Sequence, residues 1–199
     1  MVERSPIVGL LALQGDFDAH RKALAERGVE SVEVRVPSDL DGVAGLVLPG
    51  GESTTILKLM EGTGLDSRLV DLVRAGLPVL ATCAGVILLA REVRHPAQRS
   101  LAVLDILVER NGYGRQIDSA VVDLEVADPA GLGSATLEGV FIRAPRVTEV
   151  GEGVRVLAKR GGDPVLLQQE KVLAATFHPE LTDGSPVVDL FVRILSALG

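Results

Sequence analysis

Pro78-Val79-Leu80-Ala81-Thr82-Cys83-Ala84-Gly85 is the stretch on which the fold turns. Pro78 to Ala81 reads as a short buried strand, and Ala84 to Arg91 as the helix that follows it. Cys83, the one cysteine of the chain, then stands at the corner between them. Small residues at Ala81, Ala84 and Gly85 relieve the crowding that such a sharp corner imposes. The same strand-then-helix rhythm extends upstream. Ile7 to Leu13 is an apolar run too continuous to be half exposed, so it reads as a central parallel strand. Phe17 to Arg27 reads as a helix closed by Gly28. Val29 to Val36 is β-branched and alternates with charge. Ala44 to Leu48 is a further short strand, followed by Pro49-Gly50-Gly51. Ser53 or Thr54 can cap a helix through Met60, and another helix runs from about Leu65 to Ala75.

This alternation predicts an α/β fold with a doubly wound, mainly parallel sheet. Sites in such sheets lie at the carboxyl ends of the strands, and Gln14, Gly51 and Cys83 each fall just past one. The second half changes character. Ser119 to Val126, Val154 to Ala158, Val165 to Gln168 and Val172 to Thr176 read as strands. Turns such as Gly161-Gly162-Asp163 mark added β-hairpins. Val187 to Leu198 is expected to be a closing helix. No linker divides residues 1–199, which read as a single domain.

A thiol becomes a good nucleophile when it ionises, which a helix N-terminus and a nearby imidazole both favour. Cys83 is placed for the first. For the second, Phe177-His178-Pro179-Glu180 follows the strand Val172 to Thr176. On an extended segment His178 and Glu180 point the same way, so Glu180 can hold the imidazole tautomer while the other nitrogen faces Cys83. Each feature has a plainer alternative: an inert buried cysteine, or a surface histidine at a strand end. His20 and His95 are rival bases; His20 sits on a helix face where a solvated or interface role is expected, and His95 in an exposed polar loop. Pro49-Gly50-Gly51-Glu52-Ser53 runs into a helix, but it lacks the Gly-Lys-Ser/Thr of a phosphate loop, and Glu52 repels phosphate. A carboxylate beside free backbone amides suits a zwitterion, whose ammonium meets the acid while an oxyanion meets an amide. An ordinary tight turn is the alternative.

Several blocks occur in order: Ala12-Leu13-Gln14-Gly15, Leu48-Pro49-Gly50-Gly51-Glu52-Ser53-Thr54-Thr55, Thr82-Cys83-Ala84-Gly85, Glu109-Arg110-Asn111, Gly114-Arg115-Gln116, Val140-Phe141-Ile142-Arg143-Ala144-Pro145 and Phe177-His178-Pro179-Glu180-Leu181-Thr182. Together they resemble the glutaminase subunits of pyridoxal 5′-phosphate synthase, a family of class I, triad-type glutamine amidotransferases. The resemblance runs from about Ile7 to Leu195. It implies a flavodoxin-like strand order and hydrolysis of L-glutamine to glutamate and ammonia. It also implies a synthase subunit that takes the ammonia, in an assembly of twelve plus twelve subunits, and little activity before docking. By that resemblance Cys83 is the nucleophile, His178 the general acid and base, and Glu180 the orienting carboxylate. Gly51, Glu52, Ser53, Arg110, Ile142 and Arg143 hold glutamine. The resemblance links Gln14 to activation of the oxyanion hole; the N–H groups expected to form that hole, on chemical grounds, are those of Gly51 and Ala84. The chain departs from the usual pattern at Ala81 (commonly glycine), Tyr113 (frequently Phe) and Ala19 (frequently glutamate, near the docking surface). The alternatives are a class I amidotransferase serving another synthase, a non-catalytic binding subunit, and a cysteine hydrolase of peptides or esters. Glu52, Arg110 and Arg143 favour a free amino acid over the last.

The totals fit this setting. About 47% of the 199 residues are hydrophobic while aromatics make up 3%, so the core must be built from aliphatic side chains. A net charge of −7 argues against a nucleic-acid partner. A lone cysteine excludes an internal disulfide and fits the reducing cytoplasm. No run approaches the length of a membrane span, and Met1 to Pro6 has no signal-peptide layout. No Cys/His cluster points to a metal, and the chemistry requires no organic cofactor.

Overall fold

The computed structural model describes residues 6–112 and 120–197. The family blocks at Gly114-Arg115-Gln116, together with Tyr113, Ser119, Leu198 and most of the N-terminal segment Met1 to Pro6, lie outside the described residues.

The continuous apolar runs of the first half become strands buried on both faces. They are β1 (Ile7–Leu11), β3 (Gly45–Leu48) and β4 (Val79–Thr82), with β2 (Glu30–Val34) at the edge. Between them lie α1 (Phe17–Ala25), α2 (Ser53–Met60) and α3 (Leu65–Arg74). After β4 come α4 (Ala84–Leu89), β5 (Ala90–Arg94), β6 (Leu104–Glu109), β7 (Ala120–Asp123), β8 (Glu125–Val126) and α5 (Pro129–Leu132). The chain continues through β9 (Glu138–Phe141), β10 (Arg146–Val150), β11 (Val154–Arg160), β12 (Asp163–Gln169), β13 (Val172–Ala175) and α6 (Pro186–Ser196).

The main sheet has the order β2-β1-β3-β4-β13-β12-β11-β8. Its first five strands are mutually parallel, and β12, β11 and β8 extend it antiparallel. The expected mainly parallel sheet with hairpins in the second half is therefore present. The β11–β12 hairpin turns at Gly161-Gly162, both with positive φ.

Alternation along the strands separates two apolar clusters. Leu46, Leu48, Val79 and Ala81 face α2, α3 and α4. Val8, Leu10, Val47, Leu80 and Leu173 face α1 and α6. Each such fully buried aliphatic contributes about 1.5–3 kcal/mol relative to exposure. Helices thus cover both faces, and the strand ends between them are left to carry the site.

The structure corrects two element boundaries and adds a second sheet. The helix expected to reach Arg91 stops at Leu89, because Ala90–Arg94 pairs in parallel with Leu104–Glu109. That pairing, completed by β10, makes a separate three-stranded sheet which local pattern did not reveal. The strand expected over Ser119 to Val126 is split at Leu124. Its first part pairs with β9 and its second with β11.

Candidate active site

Parallel pairing brings the distant segments together. Thr82, the last residue of β4, lies opposite Ala175, the last residue of β13. Whatever follows each strand therefore emerges at the same edge: Cys83 from one, Thr176-Phe177-His178 from the other. Two backbone bonds fix these exits. Cys83 N–H donates to the Ala175 carbonyl at 2.8 Å, and His178 N–H to the Val140 carbonyl at 2.8 Å.

Cys83 adopts φ 47° and ψ −103°, a left-handed backbone that few non-glycine residues accept. Such strain costs about 1–3 kcal/mol and persists when surrounding packing enforces it. Gly85 shows why: a Cβ there would collide with the Leu48 carbonyl oxygen of β3. The sharp strand-to-helix corner expected from the sequence is therefore present. Cys83 caps α4, so the N–H of Ala84, the first helical residue, has no intrahelical acceptor.

His178 Nδ1 lies 2.7 Å from Glu180 Oε1. The ring's other nitrogen is left for the thiol, whose sulfur is 3.8 Å from the Ile142 carbonyl oxygen. The contact between His178 and Glu180 is not made on an extended strand, as the two-residue spacing suggested. It is made across a 3-10 turn, Pro179–Leu181, with His178 as its N-cap. Burial pulls the His178 pKa down, but hydrogen bonds and charge from Cys83 and Glu180 outweigh it and raise the value to about 10. Glu180 is buried, which pushes its carboxyl up. The two nearby imidazoles, His20 and His178, reverse that and hold it below the ordinary value.

A cleft of about 340 Å³ opens in front of the sulfur. Cys83, His178, Gln14, Gly51, Glu52, Ser53, Arg110, Ile142 and Arg143 all line it. Glu180 and Ala84 stand behind this wall, both buried. The glycine loop packs directly on the imidazole: a Cβ on Gly50 would sit 2.5 Å from His178 Cε1. Gln14 Oε1 accepts from Glu52 N–H at 2.6 Å, tying the end of β1 to this loop.

Glu52 caps α2. Its carboxylate accepts from Thr54 Oγ1 and, at 2.9 Å, from Thr55 N–H, and it pairs with Arg110 at 2.8 Å. The Thr54 bond, joined by Thr55 and the Arg110 charge and opposed by partial burial, holds its pKa at about 2. An ionised carboxylate beside a guanidinium is thus set at the mouth of the cleft. Ser53 Oγ donates to Gln98 Oε1 at 3.1 Å.

Of the rival histidines, His95 does not line the cleft; its side chain is 71% exposed, near Glu109. His20 is the larger correction. It was expected to be solvated or at an interface, yet it is 1% exposed, with Nε2 3.1 Å from Thr82 Oγ1 and 3.4 Å from Glu180 Oε1. The signal was present in the sequence: His20, Ala23 and Leu24 share the buried face of α1 at helical spacing. Gln98 carried no such signal, because a coil segment brings it under Ser53.

A model of the SNO glutamine amidotransferase family matches residues 10–197. The chain belongs to this family. It is 53% identical over 188 residues to a protein of Koribacter versatilis named pyridoxal 5′-phosphate synthase subunit PdxT, covering 94% of this chain and 95% of that one. A Thermotoga neapolitana protein of the same name is 50% identical, covering 94% and 98%. A crystal structure described as a glutamine amidotransferase superposes with a TM-score of 0.87 at 46% identity, over 95% of this chain and 98% of that one. The structure of PurLQS from Thermotoga maritima, at 18% identity and a TM-score of 0.73, shares the fold. Among the described residues of this amidotransferase, no helix is long and apolar enough to cross a membrane.

Proposed function

We propose that this chain is the glutaminase subunit of a pyridoxal 5′-phosphate synthase. It hydrolyses L-glutamine to L-glutamate and hands the ammonia to a synthase subunit. The observation that carries this reading is the junction of two groups in one cleft. One is a corner cysteine beside a carboxylate-held imidazole; the other is the Glu52–Arg110 pair suited to an amino-acid head group. The names of the relatives supply the synthase.

In this reading the Cys83 thiolate attacks the side-chain amide carbon of glutamine. Backbone N–H groups of Gly51 and Ala84 hold the oxyanion; losing one such donor costs about 10²–10³ in rate. Protonated His178 gives its proton to the departing nitrogen, which leaves as ammonia, and a γ-glutamyl thioester remains on Cys83. Neutral His178 then takes a proton from water, and the resulting hydroxide releases glutamate. Glu180 keeps the imidazole oriented and stabilises its charged form. Glu52 receives the substrate ammonium, while Ser53, Arg110, Ile142 and Arg143 shape the rest of the binding site. No metal or organic cofactor enters these steps.

Gln14 grips the loop at Glu52, and a Gly-Gly peptide can reorient with little steric cost. Docking of the synthase is proposed to reset this loop, so that glutamine is not consumed without an acceptor. Trapping the thioester equally fast with and without synthase would sink that idea. The family resemblance supports a twelve plus twelve assembly, and the single cysteine supports a cytoplasmic setting. The test of the whole reading is glutamate release by the chain alone and with an added synthase subunit. A sharp rise on addition, abolished by Cys83→Ala, is expected; strong activity that ignores the synthase overturns the partner assignment.

A further inference from the structure

We propose that His20 is a positioning residue of the glutaminase, fixing the Glu180 carboxylate that in turn orients His178. The inference rests on the functional reading above. His20 does not line the cleft, so it has no route to the substrate. Its Nε2 lies 3.4 Å from Glu180 Oε1, the same oxygen that His178 Nδ1 meets at 2.7 Å. Two imidazoles therefore converge on one carboxylate oxygen, one from the turn after β13 and one from α1.

The tautomer follows from charge. A bare Nε2 lone pair facing an ionised carboxylate oxygen would repel it, so Nε2 carries the proton. Thr82 Oγ1 at 3.1 Å takes the hydrogen bond, and the positive end of the same N–H faces Glu180 Oε1 at 3.4 Å as an electrostatic contact. Thr82 immediately precedes Cys83, so His20 also ties the carboxylate to the strand end that carries the nucleophile. The groups whose charge acts on His20 are Glu180 and His178 across the site and Asp16 at the start of its own helix. Burial outweighs their net effect and keeps the ring uncharged, which leaves it a donor rather than a second cation beside His178. A buried, neutral donor holds a carboxylate in place without competing for the proton that His178 must move.

The segment 14–20 thereby grips the site on two sides. Gln14 holds the glycine loop through Glu52 N–H, and His20 holds the carboxylate behind the imidazole.

The test compares His20→Leu, which removes the donor, with His20→Gln, whose amide N–H can reach the Nε2 position. Glutamate release is measured with the synthase subunit bound, and iodoacetamide alkylation of Cys83 with neither synthase nor glutamine. His20→Leu is expected to lower kcat about tenfold, the size of one lost hydrogen bond together with its contact to the carboxylate. KM should be unchanged and Cys83 alkylation slowed several-fold, and His20→Gln should restore most of both. Equal losses in the two variants, or an unchanged kcat in His20→Leu, overturn the proposal. If His20→Leu does not fold, Thr82→Val removes the neighbouring hydroxyl; the same kcat-specific loss, smaller, is expected, and a wild-type kcat overturns it. A wild-type complex without glutaminase activity but with the same alkylation pattern would refute the functional reading and leave the positioning role standing.

Discussion

Gly50→Ala tests how tightly the glycine loop and the imidazole depend on each other. Gly50 is not in the left-handed region, so alanine meets no backbone penalty there. The cost is contact. The new Cβ would lie 2.5 Å from His178 Cε1, 3.2 Å from Nδ1 and 3.4 Å from the Cys83 Cβ. Carbon atoms prefer about 3.5–4.0 Å, so the ring must retreat by about 1 Å. It cannot retreat freely, because Nδ1 is bonded to buried Glu180 and the His178 N–H to Val140. A misplacement of about 1 Å at a reacting group costs on the order of 10²-fold in rate. That corresponds to about 2.7 kcal/mol of transition-state stabilisation. Steady-state glutamate release with the synthase subunit should therefore show kcat down about a hundredfold, with Tm lower by a few degrees, the cost of overpacking a held contact. Alkylation of Cys83 in the isolated chain should slow as well, because a displaced imidazole no longer pairs with the sulfur. A block confined to loop reorientation would spare alkylation. A Gly50→Ala protein with kcat within threefold of wild type would refute the packing argument.

Other outcomes follow from the charged groups. Glu52→Gln should raise KM for glutamine about 10–100-fold with a smaller effect on kcat, since the ammonium loses its counter-charge; an unchanged KM would remove Glu52 from the binding site. The same variant has a pH signature. The Glu52 pKa is depressed from 4.5 to about 2 in the folded chain, so its contribution to stability is complete above pH 4.5 and fades as pH falls through 2. The Tm difference between wild type and Glu52→Gln should stay constant from pH 7 to about 5 and narrow below 4. For His178 the sign is opposite: its pKa is raised to about 10, so the stabilisation is complete below 6.5 and lost as pH rises through 10. Imidazole titration by NMR should find it in that range in wild type and lower in Cys83→Ala, which removes one of the partners that raise it; identical titrations would deny the Cys83–His178 contact.

The amino-acid sequence by itself determined the layered architecture. Runs such as Gly45–Leu48 and residues 79–81 have no polar face, which is what a strand covered by helices on both sides requires. The corner at Cys83 was legible too, because small residues follow an apolar run where backbone crowding demands them. The three-stranded sheet containing Ala90–Arg94 was not legible, since its strands are specified by long-range pairing rather than by local period. Nor was the geometry linking His178 to Glu180, because residue spacing alone does not distinguish a strand from a 3-10 turn. His20 shows the limit most clearly. Its place on a buried helical face could be read from period, but its convergence with His178 on one oxygen of Glu180 could not. That convergence exists because α1 packs on β1 and β2 and against the 3-10 turn that carries Glu180, which brings His20 beside the carboxylate. Periodicity reports which face of an element is buried; which buried polar groups meet is decided when the elements pack.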